Sequence, residues 1–242
     1  MIGRAIARQF SLQEDEDSLL MRGRKKLHPA IPRIAIIHDD RPMLKSPEEL
    51  EKSKTRYREK KVIFLVRDPR DVIVSSYFEM KNRGDLFGNN PYEKRKSVFE
   101  GSLSEFINRT EGGFDTILRY YNIWATNRQI PKDFLLVRYE DLKTNTCGEL
   151  RRVLDFLGLP SVPEEIITDA VKYASFDNMR RMETDGKFQS GILNPADKAD
   201  IETFKTRKGK VRGYLDYLSK EEITNLNQRL QDQLSNYFGY TP

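Results

Sequence analysis
Apolar residues along this chain fall in two alternating patterns: short unbroken runs, and runs spaced three or four apart. The unbroken runs predict strands. Val62 to Val66, within KVIFLVRD, are continuously apolar, as expected of a central parallel strand covered on both faces. DFLLVRYED predicts a second buried strand. RIAIIH, Arg33 to His38, predicts a short third one that ends in polar residues. The spaced runs predict helices. Ile2, Ala5, Ile6 and Phe10 place one at the start of the chain, with no cap before it. Further helices are expected over SPEELEKSKTRYREK, opened by Ser46 and Pro47, over DVIVSSYFEMKNR, and around 102–109 and 114–128. GELRRVLDFLGLP carries Leu150, Val153, Leu154 and Leu157 on one face and stops at Gly158, with Pro160 beyond. Pro163 to Ser175 predicts another helix, and 184–206 a loop. The last helix opens at Ser219 with Glu222 three residues on, a capping box, and buries Ile223, Leu226, Leu230, Leu234 and Phe238.

Strands separated by helices predict an α/β fold: one domain over residues 1–242, with a parallel sheet flanked by helices on both faces. The length of 242 residues suits one large α/β domain. Composition changes this picture little. Apolar residues are 38% and charged residues 33%, as in ordinary soluble proteins. The net charge of +5 is mild and spread along the chain, so a nucleic-acid partner, which calls for a basic stripe, is not expected. Cys147 is the single cysteine, which excludes an internal disulfide or a multi-cysteine metal site. No apolar run is long enough to span a bilayer and no signal-peptide pattern opens the chain, so a cytoplasmic location is expected.

Candidate chemistry collects where ligands bind in an open parallel sheet, at the C-terminal ends of the strands. Three polar clusters fall there: His38-Asp39-Asp40, Arg67-Asp68-Pro69-Arg70-Asp71 and Arg138-Tyr139-Glu140-Asp141. Arg67 offers a planar fork of donors suited to phosphate, and Ser75, eight residues on, a hydroxyl. The same residues fit equally well an arginine paired with Asp68 or Asp71 and a serine bonded to its own helix. Arg207-Lys208-Gly209 offers two cations and a glycine to wrap an anion, or a solvated basic run. His38 at a strand end suits a general base, although a lone histidine is more often structural. His28, in a basic loop, carries no such placement.

Together these clusters resemble the sulfotransferase family that takes its sulfuryl group from 3′-phosphoadenylyl sulfate. Val66 to Tyr77, VRDPRDVIVSSY, is similar to the family's 3′-phosphate-binding segment, with Arg67 and Ser75 at the matching offset. Arg207-Lys208-Gly209, with Val211 and Tyr214, resembles the segment that closes over that phosphate, although the family usually has a tryptophan where Tyr214 stands. Tyr139-Glu140-Asp141 resembles the segment whose tyrosine lies by the adenine, and Ser175 to Met179 the one whose serine approaches the nucleotide. Pro32-Arg33 with His38 resembles the segment ending in the catalytic base, but Ile36 stands where the family carries a lysine.

The resemblance implies a P-loop-nucleotide-hydrolase-like fold that here lacks the family's first strand and 5′-phosphosulfate loop, the opening helix resembling the end of the helix that follows that loop. It implies His38 as catalytic base and Arg67, Ser75, Tyr139, Ser175, Arg207, Lys208 and Gly209 as donor-binding residues, with no metal. It also implies a small-molecule or carbohydrate acceptor, and weak nucleotide binding and poor turnover by this chain alone. Two rivals remain at this point. A P-loop-type kinase would use Asp39 and Asp40 for magnesium but would give Arg67 and Ser75 no role. A degenerate, non-catalytic relative would keep only a nucleotide or protein contact.

Overall fold
The structure, a computed structural model, describes residues 1–14, 28–31, 33–83, 98–159, 161–187, 194–195 and 197–242. Pro32 and Pro160 lie outside these residues. In chain order the regular elements are α1 (Ile2–Gln9), β1 (Lys61–Val66), α2 (Pro69–Arg83), α3 (Leu103–Asn108), α4 (Phe114–Asn127), β2 (Asp133–Arg138), α5 (Tyr139–Thr144), α6 (Thr146–Phe156), α7 (Glu164–Tyr173), α8 (Phe176–Thr184) and α9 (Lys220–Gln233). The fold is α/β, with β1 paired to β2 in a parallel sheet. Two compact units form: Met1–Ile37 with Val137–Gly209, and His38–Leu136 with Lys210–Pro242.

The first unit is helical. α1 carries Ala5 and Ile6 on its apolar face, and both are fully buried among Ile31, Leu150, Leu154, Ile167 and Ala170. Arg4 on α1 donates to Asp169 of α7 at 2.9 Å, which sets the register of that helix pair. α6 buries Leu150, Val153 and Leu154 as its spacing predicts. It ends where Gly158 takes a left-handed φ of 85°.

The second unit holds β1, α2, α3, α4, the first four residues of β2, and α9. Its core is aromatic. Phe64 on β1 stacks on Trp124 of α4 with centroids 5.4 Å apart, and Trp124 stacks in turn on Phe134 at 5.9 Å. α9 starts at the expected capping box, with Ser219 and Glu222 each satisfying the other's backbone N–H. It closes the core with Leu226 and Leu230, and Leu234 and Phe238 follow just past its end.

Three expectations are corrected and one element is added. Residues 33–38 form no strand. Ile36 and Ile37 are 69% and 60% exposed, and the one sheet among the described residues is the β1–β2 pair. An apolar run becomes a strand only where a neighbour takes its backbone groups. Residues 46–60 form no α-helix either, only a short 3-10 turn at Thr55–Tyr57. Tertiary partners take the backbone there: Glu51 N–H donates to Asp40 at 2.6 Å, and the Lys52 carbonyl accepts from Asn127 at 3.0 Å. β1 is not covered on both faces, since Leu65 is 59% exposed while Phe64 and Val66 are buried. Finally, Phe176–Thr184 is a helix that the apolar pattern does not announce.

Candidate active site
Arg67 follows the last residue of β1, and α2 begins two residues later at Pro69. The hydroxyl of Tyr121 fixes that junction from both sides, accepting from Arg67 N–H at 3.2 Å and donating to the Arg67 carbonyl at 2.9 Å. The guanidinium stays about one quarter exposed. It pairs with Asp71 at 3.0 Å and donates to the Lys210 carbonyl at 2.7 Å. The Arg67–Asp71 pairing left open by the sequence is thus formed. Ser75 lies on the second turn of α2 and is exposed.

Asp71 organises the segment that follows Gly209. It is buried and accepts from the backbone N–H of Arg212 at 3.0 Å and of Tyr214 at 2.9 Å. Burial raises its pKa, and the facing Arg67 only partly offsets this. Asp68 and Arg70, both buried, form a two-pronged pair at 3.0 and 2.7 Å. Arg70 also lies 4.8 Å over the ring of Tyr214. This network was not legible from spacing. The visible signal was only the charge density of RDPRD.

His38 begins the second unit and is exposed. Its carbonyl accepts from Arg41 N–H at 3.3 Å, closing a turn over Asp39 and Asp40. Asp39, next to it, is buried and pairs at 2.8 Å with Lys54, which is wholly inaccessible. Arg56 and the Tyr57 hydroxyl also donate to Asp39. Burial by itself would raise the Asp39 pKa, but Lys54, Tyr57 and Arg56 outweigh it and hold the carboxyl below its ordinary value. Burial and the adjacent carboxylate push Tyr57 up to about 12, so it stays a donor at neutral pH. Sequence reading took Asp39 for a possible metal ligand and missed Lys54 and Tyr57 altogether.

The remaining predicted residues belong to the first unit. Tyr139 opens α5 and is half-buried. Ser175 is exposed and caps α8, accepting from Asn178 N–H at 3.4 Å. Gly209 has φ +58°, and a Cβ there would lie 2.4 Å from the Phe176 ring. The structure therefore brings the Ser175–Phe176 and Arg207–Gly209 segments together. Buried Glu183 on α8 holds the approach to them, accepting from Thr206 N–H and hydroxyl at 2.9 and 2.6 Å. Arg207 pairs with Glu202 at 3.1 Å, and Lys208 is exposed. Among the described residues no cluster of His, Cys, Asp and Glu has the form of a metal site. No helix there is long and apolar enough to cross a membrane.

A family model for the sulfotransferase domain matches residues 27–238. The chain belongs to the sulfotransferase family. It is 31% identical over 179 residues to cytosolic sulfotransferase 12 of Arabidopsis thaliana, covering 72% of this chain and 49% of that one. It is 27% identical to flavonol 3-sulfotransferase of Flaveria bidentis, covering 72% and 54%. The fold is similar to that of retinol dehydratase solved with androsterone and inactive cofactor PAP, with a TM-score of 0.57 at 23% identity, covering 79% of this chain and 52% of that one. The chain thus spans about half the length of these curated relatives.

Proposed function
We propose that this sulfotransferase-family chain serves transfer of a sulfuryl group from 3′-phosphoadenylyl sulfate to a hydroxyl or amine on a small molecule, in the cytoplasm. The observation that carries this reading is the Arg67–Ser75 pair. Tyr121 holds the Arg67 backbone at the end of β1 and Asp71 holds its partly exposed guanidinium, with an exposed hydroxyl two turns into α2, in a chain whose family match runs through both. Arg67 and Ser75 hold the 3′-phosphate, and a rearranged Arg67 exchanges Asp71 or the Lys210 carbonyl for phosphate oxygens. Arg207, Lys208 and Gly209 serve as phosphate-binding donors. The left-handed backbone at Gly209 suits close approach of its N–H to phosphate. Tyr139 and Ser175 contact the nucleoside.

His38 takes the acceptor's proton as the acceptor oxygen bonds to sulfur and the bond from sulfur to the 5′-phosphate oxygen breaks, releasing 3′,5′-diphosphoadenosine. Positioning and charge stabilisation carry most of the catalysis in such in-line transfers. No residue here is assigned to the 5′-phosphosulfate.

Calorimetric titration with 3′,5′-diphosphoadenosine tests the reading, with 5′-AMP as control. The diphosphate is expected to bind at least tenfold more tightly than AMP, and Arg67→Ala to erase that difference. Equal affinity for both nucleotides would sink the 3′-phosphate site.

A further inference from the structure
We infer that Asp39 and Asp40 form a clamp that positions the neighbouring His38, a role that rests on the reading of His38 as the acceptor's base. The backbone gives the first sign. Asp40 has φ 60° and Arg41 φ 51°, two consecutive non-glycine residues in left-handed conformation. Aspartate tolerates that region better than most residues, but an arginine there is uncommon. Such strain persists only where the surroundings over-determine it.

They do so here. The Asp40 carboxylate accepts from Lys45 Nζ and from Glu51 N–H. The Asp39 carboxylate is gripped by Lys54, Arg56 and Tyr57. Lys54 in turn lies 5.4 Å from the Trp124 ring centre, and Tyr57 packs in the aromatic core. The far end of the turn is tied as well. The Lys45 carbonyl accepts from Gly112 N–H at 2.8 Å, and a Cβ on Gly112 would come within 2.5 Å of the Met43 carbonyl. The turn that begins at His38 is therefore riveted to α4 and to the loop before it, all within the second unit.

Burying a lysine against a carboxylate is a poor way to gain stability, because desolvation roughly cancels the attraction. Two carboxylates spent on a strained surface turn make physical sense if the residue ahead of that turn must point one way. His38 is that residue. Asp39 and Asp40 are positioning residues, acting through the backbone of the histidine.

The test uses the full chain. With His28 as the second of its two histidines, one His28→Gln variant assigns the ring signals by NMR. Asp40→Gly removes the clamp's side chain while easing the backbone, since glycine accepts positive φ. The His38 ring signal is expected to shift at least halfway to its position in the urea-unfolded chain, with the melting temperature within a few degrees of the parent. Asp40→Asn, which tolerates the same φ and still accepts from Glu51 N–H, keeps the parent signal. Where sulfuryl transfer is measured, kcat falls about tenfold in Asp40→Gly with the donor KM unchanged, and Asp40→Asn restores most of it. If Asp40→Gly melts early, the comparison is made at a temperature at which circular dichroism shows it folded. An unmoved His38 signal in the folded Asp40→Gly overturns the clamp. A moved signal in a chain that binds diphosphoadenosine and AMP alike leaves the clamp standing and removes only the donor assignment.

Discussion
At the scale of single residues, what matters is which partner each polar group has found. Arg67 stood out in the sequence because it ends an apolar run and precedes Ser75 by eight positions. Its actual grip, through Tyr121 and Asp71, joins residues up to 54 positions apart. No local pattern carries that. Gly209 is the opposite case, since a glycine after two cations already suggested close backbone approach. The structure supplies the reason: a left-handed φ of +58° with the Phe176 ring where a side chain would go. Gly209→Ala is therefore expected to cost about 1–2 kcal/mol from the backbone alone, plus displacement of Phe176. Urea unfolding measures the loss. Titration with 3′,5′-diphosphoadenosine is expected to show affinity reduced roughly tenfold, a factor equivalent to about 1.4 kcal/mol.

Elements were legible where local rules and packing agree. α1, α2, α4, α6, α7 and α9 follow from spacing, caps and the glycine stop, because a helix satisfies its backbone internally and needs only an apolar face to dock. α9 is the clearest instance, and Ser219→Ala is expected to destabilise the chain by about 1 kcal/mol, measured by urea denaturation, because the capping box satisfies two backbone donors there. The failures share one cause. Whether 33–38 pairs as a strand and whether 46–60 coils as a helix are decided by partners distant in sequence, so an apolar run became an exposed strip and a helix-like stretch became an irregular strap. Along that strap Leu50, Lys54 and Tyr57 are buried at helical spacing without a helix. The buried Lys54 in the middle of it answers to Asp39, not to helix propensity. α8 was missed for the converse reason. Its few apolar residues, Phe176, Met179 and Met182, give a weak stripe, and its start depends on the cap from Ser175.

At the scale of the whole molecule, two buried aspartates in the second unit pull acid stability in opposite directions. Asp39 is held below its ordinary value, so its contribution is present above the unfolded value of ~3.9 and is lost as pH falls through the folded one. Asp71 is raised by burial, so its protonated form favours the folded state and its contribution is lost as pH rises through the folded value. Urea midpoints followed from about pH 7 down to below pH 4 are expected to fall less steeply in Asp39→Asn and more steeply in Asp71→Asn. A parallel profile for parent and both variants would contradict the assignment. The sequence by itself determined the α/β class, most helices, both paired strands and the family, because these rest on local periodicity and on short motifs read along the chain. Only the tertiary structure decided the division into two units, the open face of β1, and the partners of Arg67, Asp71 and Asp39. Each of those depends on which distant groups share a buried space, and hydrogen bonds and ion pairs formed there are selected by geometry and desolvation that no run of neighbouring residues encodes.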